Sequence, residues 1–421
     1  MKPQNFPEKL VWYYIIGTYI IYFMGAQYVF GPMLAYILTF YLLRKWWMQT
    51  DETPPEERIT LCLSNWVWIV CILLIEVALI AGHIDYNLGL TQIAKSSVNG
   101  WLRNWVLLAL FPLAAHLKIR PQLIYRAVAI LCVQSLILVP IGYLAYAANL
   151  PSKLYTSPLS VFGGSDLYNV YLMYQFDPAD EKPRMFLFAP WAPALGLVAN
   201  IYFWLSAQDS SKVWRWLGMA GAVAMIISSA SRLSLVALFF VPLAMWGLSQ
   251  LVKPWMQFTA GFASALLGMY APTVIEMMEN FKRQFTQARA KSSYVRALLG
   301  RIAIYRWRTE APIWGHGIIE PQGPKVVENM PIGSHHTWFG LVFLHGLVGC
   351  LALGFAFLWS FTVLLVKSYY SQVAKVGFAI MIILFLFTFA ESIQALAYIY
   401  WPGLIIVGMG LKDNAVVREA S

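Results

Sequence analysis

Apolar runs long enough to cross a lipid bilayer recur along this chain, and they constrain its fold more than any other feature. A membrane-spanning helix needs about 20 mostly apolar residues. On that rule the sequence predicts about twelve spans, at about 10–26, 28–44, 60–82, 101–118, 122–147, 186–206, 213–230, 233–250, 255–275, 337–365, 374–392 and 395–411. The turn near Gly25–Gln27 and the last two runs also allow a count of ten or eleven. We therefore expect an all-α polytopic integral membrane protein, with one transmembrane domain over 1–421.

The composition excludes an ordinary soluble globular protein. Of the 421 residues, 59% are hydrophobic and 12% are charged, and the mean hydropathy is +0.61. Soluble domains carry about 25% charged residues. The four cysteines lie inside apolar runs and form neither a CxxC pair nor a Cys/His pattern. We expect them to be buried apolar groups and not metal ligands.

Lysine and arginine distinguish the two sides of the membrane, because short cytoplasmic loops carry an excess of both. One set of span ends collects Lys2, Lys9, Arg44, Lys45, Arg58, Lys118, Arg120, Arg126, Lys212, Arg215, Lys253, Lys367, Lys375, Lys412 and Arg418. The short loops of the other side hold Lys95, Arg103 and Arg232. The first side is therefore predicted to be cytoplasmic. Two long loops, about 148–185 and about 276–336, then fall on the far side.

The second long loop is strongly basic. From Phe281 to Thr309 it contains no Asp or Glu and carries Lys282, Arg283, Arg289, Lys291, Arg296, Arg301, Arg306 and Arg308. Arginine binds phosphate oxygens with a forked pair of donors. The stretch SSYVRALLGRIAIYRWR also interleaves Arg with apolar residues, as amphipathic segments at membrane surfaces do. A solvated helix face is the alternative. We expect a phosphate-bearing lipid as partner, with membrane lipids around it, and no nucleic acid.

Two further arginines stand at the ends of predicted spans. Arg184 precedes the span at 186–206, and Arg232 follows the serines of SSASR at the start of 233–250. Arginine at mid-bilayer costs about 2.5–3.5 kcal/mol on insertion scales, whereas at the interface the side chain can reach water. The amides at a helix N-terminus also favour an anion. Both residues are candidates for binding an anionic ligand, and interface anchoring is the alternative.

A candidate catalytic histidine lies in SHHTWFGLVFLHGLVG, residues 334–349, where the second long loop enters a span. His335 and Gly346 are eleven positions apart, roughly 20° past three full helical turns. They are therefore expected to share one helix face, with Gly349 nearby, and small residues on that face would let helices pack closely. Histidine can act as a general base near neutral pH. An interfacial polar role for His335 is the alternative.

Four other polar residues are weaker candidates. His336 follows the candidate base, and His345, deeper in the same span, is expected to be structural. His316 lies in the Pro-and-Gly turn PIWGHG, and its role is ambiguous. Glu76 is the acidic residue well inside a predicted span, which makes it a functional candidate by default. A hydrogen-bonded structural role for Glu76 is equally simple.

These motifs resemble a known family of bacterial membrane glycosyltransferases. His335 followed by Gly346 and Gly349 is similar to the His-x10-Gly signature of O-antigen ligases and the related polymerases. PIWGHG resembles the Pro-x-x-Gly-x-Gly turn that precedes that signature, and SASR resembles a Ser-Arg element at the start of a middle span. Arg184 resembles the family's arginine ahead of an apolar run. The pattern covers about 180–350, and the first five spans match in hydropathy alone.

The resemblance implies a GT-C-like fold and a function. The family transfers O-antigen polysaccharide from undecaprenyl pyrophosphate to lipid A–core at the periplasmic face of the inner membrane, without a metal or another cofactor. It implies that His335 is the base and that Arg184 and Arg232 bind the pyrophosphate. The family's further arginine could be Arg296 or Arg301, and the sequence leaves both open.

One departure from the family pattern concerns the histidine pair. The family often has Asn after the catalytic histidine, where this chain has His336. The glycine spacing favours His335 as the base, so His336 is assigned to substrate binding.

Two other functions fit parts of the pattern. An O-antigen polymerase shares the fold and the donor but uses a second lipid-linked glycan as acceptor, and general resemblance alone favours the ligase. A transporter or flippase of an anionic lipid belongs to a different class. Transporters often have broken helices, charges near mid-membrane and inverted repeats. Here the charges gather at the ends of spans, which disfavours a transporter.

Overall fold

The computed structural model is 75% helical and has nearly no sheet, which is consistent with the expected all-α membrane protein. The structure describes residues 1–54, 58–163, 165–177, 182–250, 253–287, 290–318, 322–327 and 329–412. Two of the basic residues named above, Arg289 in the second long loop and Arg418 near the C-terminus, lie outside these ranges.

The described residues form sixteen α-helices. They are α1 Phe6–Ile16, α2 Thr18–Phe23, α3 Gln27–Trp47, α4 Leu63–Asp85, α5 Leu90–Ser96, α6 Leu107–Leu113, α7 Pro121–Ala147, α8 Ala192–Ser206, α9 Lys212–Ser228, α10 Arg232–Gln250, α11 Pro254–Met269, α12 Ala271–Gln287, α13 Ala290–Glu310, α14 Thr337–Lys367, α15 Gln372–Thr388 and α16 Ala397–Lys412. A π-helical segment, Ser97–Trp105, joins α5 to α6.

Two antiparallel hairpins build the first long loop. Strand β1, Lys153–Thr156, pairs with β2, Asn169–Tyr171. Strand β3, Tyr174–Asp177, pairs with β4, Lys182–Met185. The second hairpin brings Arg184, in β4, next to the span that follows it.

Within the described residues, five helices are long and apolar enough to cross a membrane: α4, α7, α10, α14, and α16 with the turn before it. A sixth is possible if α11 and the first part of α12, bent by 82° at their junction, count as one span. Shorter apolar helices cover Leu107–His116, α8 and α15. The lengths and compositions of these helices are consistent with a membrane protein, whereas the count of about twelve is not confirmed. Breaks divide several predicted spans, for example at Gly17 between α1 and α2.

Helix α16 lies at the centre of the bundle. Every residue from Ala397 to Leu411 is buried, and α6, α8 and α15 pack around it. A helix that is apolar on all faces belongs in such an interior position. Trp401 contributes the largest fully buried side chain, and its ring stacks on Phe111 at 5.4 Å.

The helix ends separate into two sides. On one side, which we call the basic side, Arg120 pairs with Glu8 at 2.7 Å and Lys367 donates to the carbonyl of Leu411 at 2.6 Å. On the other, the loop side, the hydroxyl of Tyr22 donates to the carbonyl of Tyr171 at 3.1 Å. The span ends predicted from charge to share one side are thus in contact. The cytoplasmic orientation of that side stays a prediction.

Helix α14 is broken at Gly346, where φ is +59° and ψ is −157°. The PIWGHG segment fills the break: the amide of Leu347 donates to the carbonyl of Pro312 at 3.0 Å. The amide of His316 donates to the carbonyl of Phe343 at 2.8 Å. The prediction that His335 and Gly346 share one helix face was therefore wrong. The glycine instead makes room for the backbone of PIWGHG.

Candidate active site on the loop side

Arg184 lies beside the turn that joins α9 to α10. Its guanidinium Nη2 donates to the carbonyl of Ala230 at 3.3 Å. Ala230 has a φ of +48°, and Arg232 begins α10 two positions later. The structure therefore brings the two predicted span-end arginines to the same turn.

A buried carboxyl, Glu391, lies close to this group. It is 1% exposed and occupies the turn between α15 and α16. The indole of Trp191 donates to its Oε2 at 2.8 Å, and the hydroxyl of Thr337 donates to its backbone carbonyl at 2.6 Å. Its Oε1 is buried and has no hydrogen-bond partner among the described residues. Buried carboxyl oxygens without a partner are uncommon and call for an explanation.

Arg296 is the residue of α13 that acts on this site. Its positive charge influences both His335 and Glu391. Gly300, one turn later, lets α13 approach the first turn of α14, since a Cβ there would lie 2.5 Å from the ring of Phe339. Positions four apart lie on the same helix face. The close approach at Gly300 therefore carries Arg296 toward the start of α14.

Arg301 does not take part in this arrangement. Like Arg296, it is exposed and makes no hydrogen bond, ion pair or ring contact within the described part of the chain, but its charge does not act on His335 or Glu391. Five positions separate it from Arg296, so the two side chains leave α13 in different directions. Of the two arginines that the sequence left open, the structure places Arg296 near His335.

His335 is held by a tight turn before α14. Its φ is +61°, and Gly333 before it has a φ of +82° and packs on the backbone of Gly340. A left-handed conformation in a non-glycine residue costs of order 1–3 kcal/mol and often marks a functional site. Among the described residues, neither ring nitrogen of His335 has a hydrogen-bond partner. Its imidazole is therefore left without a structural role in hydrogen bonding.

His336 has a structural role. It is the N-cap of α14: its Nδ1 accepts from the amide of Phe339 at 3.3 Å. Its ring also stacks on the ring of Phe339, with centroids 3.8 Å apart. Because Nδ1 accepts, the proton of the neutral ring lies on Nε2. Nε2 is the atom through which His336 could still contact a substrate.

His316 is engaged on both ring nitrogens. Its Nε2 lies 2.8 Å from Oε2 of Glu310, and its Nδ1 lies 3.0 Å from the carbonyl of Phe343. Arg306 in turn donates to Glu310 at 2.9 Å. These bonds anchor the PIWGHG segment against α14, so His316 serves packing.

Glu76 and His345 lie apart from the arginine cluster. Glu76 interacts with Ser97 and lies near His83, and its Oε2 is buried without a hydrogen-bond partner in the described residues. His345 is buried and meets the ring of Trp105 edge-on at 5.8 Å. The structure does not bring either residue to Arg184 or His335.

Burial and charge set the protonation of the site. Burial, helped by the charge of Arg296, lowers the pKa of His335 to about 4. Burial raises the pKa of Glu391 to about 7, against the charges of Arg296 and Arg184 and the bond from Trp191. At neutral pH the imidazole is therefore neutral and can accept a proton. The carboxyl is divided between its protonated and ionised forms.

Sequence reasoning did not identify Glu391. The residue lay at the end of the predicted span 374–392, where an acidic side chain can be a surface residue. The available signal was an isolated carboxyl between two apolar runs. Its neighbours, Trp191 and Arg184, are about 200 positions away, so their proximity is a property of the tertiary structure.

No protein-family model matches the sequence, and no curated protein matches it. Within the described ranges, no group of three His, Cys, Asp or Glu side chains is placed to hold a metal ion.

Proposed function

We propose that this protein is a membrane glycosyltransferase of the bacterial inner membrane. It transfers O-antigen polysaccharide from undecaprenyl pyrophosphate to lipid A–core, with its active site facing the periplasm. The observation that carries the proposal is the convergence of Arg184, Arg296 and His335 around Glu391 on the loop side. Such a transfer needs cations that bind the pyrophosphate and a neutral imidazole that accepts the hydroxyl proton. The motif resemblance supplies the substrates.

The reaction assigns one role to each group. A hydroxyl oxygen of the acceptor sugar attacks the anomeric carbon, and the bond from that carbon to the pyrophosphate oxygen breaks. His335 takes the hydroxyl proton, and undecaprenyl pyrophosphate leaves with the bonding electrons. Arg184 and Arg296 stabilise the charge that develops on the leaving group, and no metal takes part. The negative donor also raises the pKa of His335, which makes the imidazole a stronger base.

The break in α14 bears on the transporter alternative. Broken helices in transporters expose backbone groups to a substrate cavity. Here the carbonyls of Pro312 and Ile313 accept from the amides that follow Gly346, so the break is filled by protein backbone. This observation favours a transferase over a transporter.

Purified protein tests the proposal. Protein in nanodiscs, given undecaprenyl-pyrophosphate-linked glycan and lipid A–core without an energy source, should form glycan joined to core. The His335→Asn variant should remain folded and form none. Full activity of that variant would remove the base assignment. Absence of transfer by the wild-type protein both to lipid A–core and to a second lipid-linked glycan would favour the transporter.

A deletion strain distinguishes the ligase from the polymerase. Loss of capped lipopolysaccharide while long lipid-linked chains remain would support the ligase. Single repeats still attached to core would show that the protein is the polymerase.

The topology forms part of the proposal. We infer about twelve crossings, with 148–185 and 276–336 in the periplasm. Cysteine labelling from outside should modify Ser160→Cys and leave Lys212→Cys protected, each in a background without native cysteines. Labelling of position 212 and not of position 160 would show that the protein has the opposite orientation.

A further inference from the structure

A cavity of about 450 Å³ opens on the basic side, at the opposite end of the helices from the candidate active site. It lies where the C-terminal turn of α3, the segment before α4 and the last residue of α16 meet. No Asp or Glu among the described residues lines it. Its cationic or titratable lining residues are Arg44, Lys45, Arg58, His116, Lys118 and Lys412.

The cations differ in how far they are already neutralised. Arg58 pairs with Asp51 at 3.2 Å, which reduces its contribution. Lys45 lies over the ring of Tyr41 at 5.4 Å, and neither it nor Arg44 has an ion pair in the part of the chain that the structure describes. Cations at a helix C-terminus are common because the carbonyl end attracts them. Their position on the wall of a concave cavity is not explained by that attraction.

His116 points to a ligand independently of the cations. It is 6% exposed, and its Nε2 lies 2.7 Å from Oδ1 of Asn65. An amide oxygen can only accept, so Nε2 carries the proton and Nδ1 has a free lone pair in the neutral ring. That Nδ1 is buried and has no partner among the described residues. Buried polar atoms of this kind are normally satisfied by protein, by water or by a ligand.

We infer that this cavity is a binding site for a phosphate ester that also carries a hydroxyl group. The phosphate lies against Arg44 and Lys45, and the hydroxyl satisfies Nδ1 of His116 directly or through one water. A glycerophosphate group has both features. It can belong to an anionic lipid of the adjoining leaflet or to a soluble ester. Trp47, 91% exposed at the end of α3, is typical of the membrane interface and favours the lipid. The inference does not depend on the proposed transferase activity.

Native mass spectrometry of the delipidated protein tests the site. Phosphatidylglycerol and phosphatidylcholine are titrated in detergent, and a separate sample receives glycerol 3-phosphate. We expect the wild-type protein to prefer phosphatidylglycerol. Arg44→Ala with Lys45→Ala should reduce that preference about tenfold, because each cation near the surface contributes several-fold. The matched control, Lys9→Ala with Lys212→Ala, removes two exposed cations from the same side outside the cavity.

His116→Gln is the second variant. Glutamine keeps a donor for Asn65, and its acceptor Oε1 does not occupy the position of Nδ1. It should therefore weaken phosphatidylglycerol binding several-fold and leave binding of phosphatidic acid, which has no headgroup hydroxyl, unchanged. Tight binding of glycerol 3-phosphate in competition with the lipid would identify a soluble ligand for the same site. The inference is overturned if the control pair lowers the preference as much as the Arg44–Lys45 pair, or if neither pair changes it.

Discussion

The indole Nε1 of Trp191 lies 2.8 Å from Oε2 of Glu391, and this bond joins the start of α8 to the turn before α16. The same turn is tied to the start of α14, where the hydroxyl of Thr337 contacts the carbonyl of Glu391 and accepts from the amide of Ile393. The starts of α8 and α14 and the turn before α16 therefore meet at Glu391.

Glu391→Gln separates the charge of this carboxyl from its packing. Glutamine keeps an oxygen acceptor for Trp191 but removes the negative charge that Arg184 and Arg296 experience. The donor pyrophosphate then no longer competes with a carboxylate, so the donor KM should fall three- to tenfold, about 1 kcal/mol. Donor saturation kinetics above pH 7, where the carboxylate form dominates, give the largest difference. A higher donor KM would show that the carboxylate itself binds substrate.

Arg296→Ala and Arg301→Ala form a matched pair on α13. Both arginines are exposed, but the charge of Arg296 acts on His335 and Glu391, and that of Arg301 does not. We expect kcat/KM for the donor to fall about 10- to 100-fold in Arg296→Ala, since a charge-assisted bond to phosphate contributes about 1.5–3 kcal/mol. Arg301→Ala should stay within about twofold. Arg296→Lys should recover little, because the forked geometry is lost. The reverse order of the two alanine variants would assign donor binding to Arg301.

His335→Asn and His336→Asn distinguish the two histidines. Asparagine tolerates the left-handed backbone at position 335 and is a good N-cap at position 336. Both variants should therefore fold. Loss of a general base costs about 10²–10⁴ in rate, so we expect that loss in kcat for His335→Asn and a far smaller one for His336→Asn. Single-turnover transfer assays measure both, and equal losses would contradict the assignment of His335.

His335 and Glu391 are expected to make the free energy of unfolding depend on pH in opposite directions. The folded state lowers the pKa of His335 from 6.5 to about 4. The contribution of His335 to the free energy of unfolding is therefore fully present above pH 6.5 and is lost as pH falls toward 4. The folded state raises the pKa of Glu391 from 4.5 to about 7, so the contribution of Glu391 is present below pH 4.5 and lost as pH rises. Between about pH 4.5 and 6.5 the two effects oppose each other.

Single variants should reveal each slope. The unfolding temperature of His335→Asn minus that of the wild type should decrease as pH rises from about 4.5 to 6.5, because the wild type gains stability over this range. The same difference for Glu391→Gln should increase. Thermal unfolding in detergent at several pH values measures both, and slopes of the same sign would contradict the two pKa shifts.

Gly346→Ala should disturb the contact between α14 and the PIWGHG segment. A Cβ at this position would lie 2.2 Å from the carbonyl oxygen of Ile313, and the φ of +59° is unfavourable for alanine. We expect a loss of about 1–3 kcal/mol in stability. The control is Gly354→Ala in the same helix, where a Cβ meets nothing within 4 Å. It should be neutral or stabilising by up to about 1 kcal/mol. Equal unfolding temperatures for the two variants would contradict the packing role of Gly346.

Hydropathy and charge were sufficient to predict the class of the protein. A membrane helix is a local property, because its free energy of insertion is summed along one segment of about 20 residues. For the same reason the alternating Lys and Arg pattern predicted which helix ends share a side, and the contact of Arg120 with Glu8 agrees with it. His335 was likewise predicted at the mouth of a span, and it lies two positions before α14.

The tertiary structure decided the rest. Whether the charge of Arg296 or of Arg301 acts on His335 depends on which face of α13 packs on α14, and the close approach at Gly300 identifies that face. The break at Gly346 depends on a segment of loop that inserts its own backbone. Glu391 belongs to the candidate site because it accepts a hydrogen bond from Trp191, which is 200 positions away in the chain. Coulomb and hydrogen-bond energies depend on distance in space, and chain separation carries no information about that distance before the helices pack.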